Sequence, residues 1–100
     1  IITGEGKIDF QTAFGKTVSG VAALAGERNK AVIAVAGTLG EGYRALYEKG
    51  IRCMVPVTDK PMTLAEAMQQ AGTLLEDAAE RIFRLVRIGK ELNNVYRLTD

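Results

Sequence analysis

The chain contains no histidine and no tryptophan, a single cysteine and two prolines. Without imidazole, its residues cannot assemble a His-ligated zinc site or a Ser-His triad. One thiol, Cys53, cannot close an internal disulfide, so nothing in the sequence calls for an oxidising compartment. An excess of either charge is also missing: 13 Lys and Arg stand against 12 Asp and Glu, a net charge of +1. That is too little excess positive charge to argue for a nucleic acid or an anionic membrane surface from balance alone. Long apolar runs are absent too. The longest, residues 31–36, falls far short of the roughly 20 residues that cross a bilayer. The opening residues do not read as a basic-then-apolar leader. No nucleic acid and no membrane is therefore expected as a partner, and the expected compartment is the cytoplasm. What is present is 47% hydrophobic residues, 25% charged residues and 11 glycines in 100 positions, a globular composition at the length of one domain. The start Ile1-Ile2-Thr3-Gly4, with no methionine, reads like the end of a strand and hence like a segment of something longer.

Hydrophobic periodicity divides the chain into short apolar runs and longer amphipathic stretches, in the order βαβαβα. Residues 1–3 read as a stub of strand that Gly4-Glu5-Gly6 breaks, followed by a loop through Lys7, Ile8 and Asp9. Over residues 17–28, Val18, Val21, Ala22 and Ala25 recur at helical spacing, and Asn29 is a stop signal. Residues 31–36 are continuously apolar, as a strand covered on both faces must be, and should form the central parallel strand. Tyr43, Leu46 and Tyr47 then share one face of a short helix that Gly50 ends as a left-handed cap. Residues 51–57 read as the third strand, with Cys53 as a small buried hydrophobe. Thr63-Leu64-Ala65-Glu66 has the capping-box pattern. A single apolar stripe follows from Leu64 through Met68, Ala71, Leu75, Ala78 and Ile82 to Leu85. Asp77 with Arg81 and Glu80 with Arg84 are spaced for i,i+4 pairs on its solvent side. Periodicity weakens beyond residue 86, so residues 1–86 are read as the α/β segment and 87–100 as a helical or frayed tail. Helical crossovers imply a parallel sheet with right-handed connections. Three strands make a thin sheet, so self-association is expected through an exposed sheet edge or the apolar helix face.

In such sheets ligands bind beyond the carboxyl ends of the strands. Two segments occupy that position: Thr3-Gly4-Glu5-Gly6-Lys7-Ile8-Asp9, which sets a cation two residues from a carboxylate, and Gly37-Thr38-Leu39-Gly40-Glu41-Gly42. Neither known phosphate fingerprint fits. Asp9 stands where the dinucleotide motif needs its third glycine, and Phe10 replaces the first glycine of a P-loop ending at Gly15-Lys16-Thr17. On spacing alone, both segments read equally as plain turns and Asp9 as a helix-cap carboxylate.

The ordered series Ile2-Thr3-Gly4-Glu5-Gly6-Lys7-Ile8-Asp9, Gln11-Thr12, Gly15-Lys16 and Gly20-Val21-Ala22 resembles the signature near the C-terminal end of bacterial glycerate kinases. The resemblance continues through Val32-Ile33-Ala34-Val35-Ala36-Gly37 and Met62-Thr63-Leu64-Ala65-Glu66-Ala67, covering residues 1–85. Lys7 stands where many members have Arg, keeping the charge but losing the bidentate fork, and Val18 stands where they often have Pro. Such enzymes are several times longer, with the active site between two α/β domains. The resemblance implies transfer of the ATP γ-phosphoryl group to glycerate, with Mg²⁺ accompanying the nucleotide. It implies catalytic roles for Asp9 and Lys7, Asp9 orienting the glycerate hydroxyl or holding Mg²⁺. It further implies contacts to substrate or phosphate from Gly4, Glu5, Gly6, Gln11, Thr12, Lys16, Gly37 and Thr38, in a chain that is inactive on its own. The alternative on the same residues is a noncatalytic flavodoxin-like module that holds a phosphate or a nucleotide.

Overall fold

A computed structural model describes residues 1–96. Strand β1 (Ile2–Ile8) is followed by a one-turn 3-10 helix (Phe10–Phe14), helix α1 (Lys16–Glu27), strand β2 (Ile33–Leu39) and helix α2 (Ala45–Glu48). Strand β3 (Cys53–Pro56) and helices α3 (Leu64–Gln69) and α4 (Ala71–Tyr96) complete the order. The three strands are parallel in the order β1-β2-β3, so the fold is α/β with β2 central. Among these residues no helix is long and apolar enough to cross a membrane.

The core follows from the sequence pattern. Val18, Ala22 and Ala25 of α1 and Leu46 of α2 pack with Ala34 and Ala36 of β2 and Met54 of β3, closed by Ile8, Val32 and Ile51. Small residues on β2 let two helices come close, and the β-branched residues at the margins fill the remaining volume. Asn29 ends the α1 region with a φ of 54°, and Gly50 follows α2 with a φ of 106°, left-handed positions of the kind expected at those stops. Thr63 caps α3, its hydroxyl accepting the Glu66 N–H at 3.1 Å.

Four expectations are corrected. Gly4-Glu5-Gly6 does not break β1: the strand runs through both glycines, because pairing with β2 at Gly4↔Val35 and Glu5↔Ala36 outweighs the weak strand preference of glycine. The central strand starts later and ends later than residues 31–36, so Gly37 and Thr38 are strand residues, with Thr38 opposite Lys7. Cys53 is exposed, not buried. It alternates with buried Met54 at the start of an edge strand, two residues before half-buried Val55 on the same side of β3. The apolar stripe does not run along one helix. It breaks at Gln70, where Gly72 just beyond is a poor helix former, and it leaves Leu64 and Met68 in solvent. Glu80 pairs with Arg84 at 3.7 Å on the exposed side of α4. That helix continues without interruption past residue 87 to Tyr96, and the expectation for residues 97–100 lies outside the described residues.

Between Glu5↔Ala36 and Lys7↔Thr38 the β1–β2 ladder passes Gly6 and Gly37, and there the inward-facing positions change parity. Ala34 and Ala36 point into the core, yet Thr38 is exposed, and Leu39 packs on the core in its place beside buried Ile8. A Cβ on Gly37 would lie 2.7 Å from the Gly6 carbonyl oxygen, so glycine is what permits the two backbones to approach at this irregularity.

Candidate functional site

The carboxyl end of β1 opens onto a depression of about 330 Å³ lined by Glu5, Lys7, Asp9, Gln11, Thr12, Gly15, Thr17 and Val18. The sequence builds its wall locally. Asp9 is extended and acts as the N-cap of the 3-10 helix, with Oδ1 accepting the Gln11 N–H at 2.9 Å. Thr12 answers, its Oγ1 accepting the Asp9 N–H at 3.0 Å, which completes a reciprocal capping box. The Thr12 hydroxyl also lies 3.5 Å from the Lys7 carbonyl and from Asp9 Oδ1. Asp9 and Thr12 thereby stabilise the turn that connects β1 to α1.

Beyond the turn, Gly15 begins α1 as an N-cap with no side-chain hydrogen bond of its own, on the rim of the depression. The first-turn amides of a twelve-residue helix are thus directed toward a surface that also carries the exposed Lys7 ammonium. Lys16 opens α1 one residue further on.

The nominated residues fall into two groups. Glu5, Lys7, Asp9, Gln11 and Thr12 share the depression. Gly4, Gly6 and Gly37 instead line a second hollow, of about 290 Å³, bounded by Val35, Val57 and the α4 residues Ala71 and Leu75, with Glu5 reaching both. Thr38 lines neither hollow. Thr17, which follows Gly15-Lys16 at the P-loop-like ending and is thereby a candidate to face a phosphate, lies on the same wall, and sequence reasoning missed Val18 beside it.

The second loop is fastened to the first. Gly40 N–H donates to the Ile8 carbonyl at 2.6 Å, and Phe10 N–H donates to the Glu41 carbonyl at 3.0 Å. Gly42 has a φ of 79°, and a Cβ there would come within 2.6 Å of Phe10 Cβ. The segment after β2 is thereby a backstop for β1 and its turn. Chemically, the depression brings a cation, two carboxylates, an amide side chain and a helix N-terminus onto one open surface: the cation and the helix amides are groups that can take an anion, and the carboxylates are groups that can take a cation.

Comparison with known proteins bears on this arrangement. A family model described as "Glycerate kinase family" matches residues 1–87. The chain is 51% identical to a "Glycerate kinase" of Halalkalibacterium halodurans over 82 residues, 82% of this chain and 22% of that protein. It is 43% identical to a "Glycerate kinase" of Bacillus cereus over 91 residues, 91% of this chain and 24% of the relative. A "Glycerate 2-kinase" of Escherichia coli is 36% identical over 89 residues, 89% of this chain and 23% of its own length. The chain thus spans less than a quarter of the length of these curated relatives. No solved structure matches it.

Proposed function

Because the chain belongs to the glycerate kinase family, we propose that it supplies one wall of a site that transfers the γ-phosphoryl group of ATP to a hydroxyl of glycerate. The observation that carries this reading is the depression beyond β1, where Lys7, Asp9 and the α1 N-terminus converge within the matched segment. In the reaction the glycerate hydroxyl oxygen bonds to the γ-phosphorus, the bond to the bridging oxygen breaks, ADP leaves and the hydroxyl proton is released. A loose transition state of this kind needs positioning and charge neutralisation more than a strong base. Lys7 and the α1 amides neutralise the phosphate oxygens, while the Asp9 carboxylate orients the hydroxyl, whose proton passes to solvent. Lys16, at the start of α1, adds a second cation, and Gln11 hydrogen-bonds the substrate. Gly4, Gly6, Gly37 and Thr38 act one step back, by holding β1 against β2.

Mg²⁺, when bound with the nucleotide, supplies charge neutralisation on the triphosphate. Asp9 and Glu5 are the carboxylates that would hold it, and among the described residues no group of three or more His, Cys, Asp or Glu could hold a metal. Two carboxylates fit an ion shared with phosphate oxygens and not an all-protein cage.

Residues 1–86 carry this role, with 87–100 as an appended tail. The chain acts in the cytoplasm, which suits an exposed free thiol at Cys53. On its own it has one wall of a two-walled site, so it turns over no glycerate and associates with itself through its open surfaces. The test is a graft: residues 1–87 replace the matching segment of the H. halodurans relative, and ADP release is followed with glycerate. The graft is expected to retain ATP-dependent phosphorylation of glycerate. Asp9→Asn within it is expected to lower kcat by about 10²- to 10³-fold. A folded graft with no turnover, or an Asp9→Asn graft with full turnover, would contradict the reading.

A further inference from the structure

We propose that Gly40 is a positioning residue for Lys7 and Asp9, an inference that rests on the role assigned above to those two side chains. Three glycines at this end of the sheet are crowded, and each for a different reason. Gly37 is fixed by backbone, since its Cβ would strike the Gly6 carbonyl at 2.7 Å. Gly42 is fixed by its left-handed φ of 79° and by Phe10, whose Cβ and Cα lie 2.6 and 3.3 Å from the Cβ position. Gly40 has neither constraint. Its φ lies outside the left-handed region, so an L side chain is admissible on backbone grounds. What a Cβ at position 40 meets is Lys7 Cε at 2.8 Å and Asp9 Cβ at 3.1 Å, with the Ile8 carbonyl at an ordinary 3.6 Å.

The Lys7 arm therefore lies across the bare backbone of Gly40, and Asp9 rests beside it. The Gly40 N–H, held by the Ile8 carbonyl at 2.6 Å, fixes the height of this support. A methyl group here would cost the fold little at Lys7, whose chain end swings aside at small energetic expense, and more at Asp9, whose Cβ must give by a few tenths of an ångström against its capping bonds. It would nevertheless move the ammonium away from the depression and push Asp9 by a few tenths of an ångström. A change of that size matters more for electrostatic positioning than for stability.

The experiment compares the wild-type chain, Gly40→Ala, Lys7→Ala and the double variant, with lysine labelled at ¹³Cε and MgATP as the probe. Lys7 is assigned by its loss in Lys7→Ala. The expected results for Gly40→Ala are a Tm lowered by less than about 4 °C, a displaced Lys7 Cε resonance, and a dissociation constant for MgATP raised about tenfold. In the Lys7→Ala background the same substitution is expected to change MgATP affinity much less. An unmoved Lys7 resonance, an equal loss of affinity in both backgrounds, or a collapse of Tm would each overturn the proposal. If the wild-type chain does not bind MgATP at all, the role assigned to the depression fails, while the Lys7 resonance still decides whether Gly40 sets the arm.

Discussion

The two faces of the sheet are finished to different degrees. On one, α1 and α2 close over Ala34, Ala36 and Met54, and the side chains between them are buried almost completely. On the other, α4 buries Leu74, Ala78 and Ile82 in its first half but leaves Leu75, Phe83, Leu85, Val86, Ile88 and Leu92 at least 42% exposed. The first face leaves fewer apolar side chains open, Leu24 of α1 and Tyr47 of α2 being 53% and 40% exposed. The second leaves a longer series of large apolar side chains in solvent along α4. The depression lies beside the better-covered face, beyond β1, so the residues proposed for chemistry stand on the more closely packed half of the molecule.

Substitutions break this comparison in order of expected size. Ala34→Asp, at a fully buried position between sheet and helices, should abolish folding, because an unpaired carboxylate there costs an amount comparable with the whole margin of about 5–15 kcal/mol. Circular dichroism of the purified variant reads this directly. Leu46→Ala on the same face should cost about 2–5 kcal/mol in denaturant unfolding, since Leu46 is 1% exposed and its loss leaves a cavity. Thr12→Val removes the acceptor for the Asp9 N–H and should cost about 1 kcal/mol. Asp9→Asn retains an oxygen for the Gln11 N–H and should change stability by less than about 0.5 kcal/mol, which separates the capping role of Asp9 from its charge. Smallest of all, Leu85→Glu on the open face should leave stability within about 0.5 kcal/mol. It should also lower the concentration-dependent mass seen by light scattering. A loss of stability equal to that of Leu46→Ala would mean that the two faces are equally complete.

The asymmetry also governs what could be read from the sequence. Where the chain closes on itself, local signals sufficed: the helical spacing of Val18, Ala22 and Ala25, the stop at Asn29 and the cap at Gly50 all reappear in the structure. Where an element depends on neighbours, they did not. The glycines in β1 look like a break, and only the partner strand makes them a strand. Cys53 has the composition of a core residue, and its exposure follows from β3 being an edge. In the depression, the Lys7 and Asp9 pair was legible as a cation and a carboxylate two residues apart. That Asp9 also caps a turn, and that Gly4, Gly6 and Gly37 line a different hollow, depends on backbone approach that spacing does not encode. The role of Gly40 was hidden for the same reason, since a glycine after a strand looks like any turn.

Everything proposed for the site requires that the depression beyond β1 receive phosphate. The most direct measurement is a titration of the ¹⁵N-labelled chain with MgATP, followed amide by amide. Shifts are expected to concentrate at Lys7, Asp9, Gln11, Gly15 and Thr17, with the far half of α4 silent. Shifts confined to α4, or to the hollow around Gly4 and Leu75, would contradict phosphate binding in the depression.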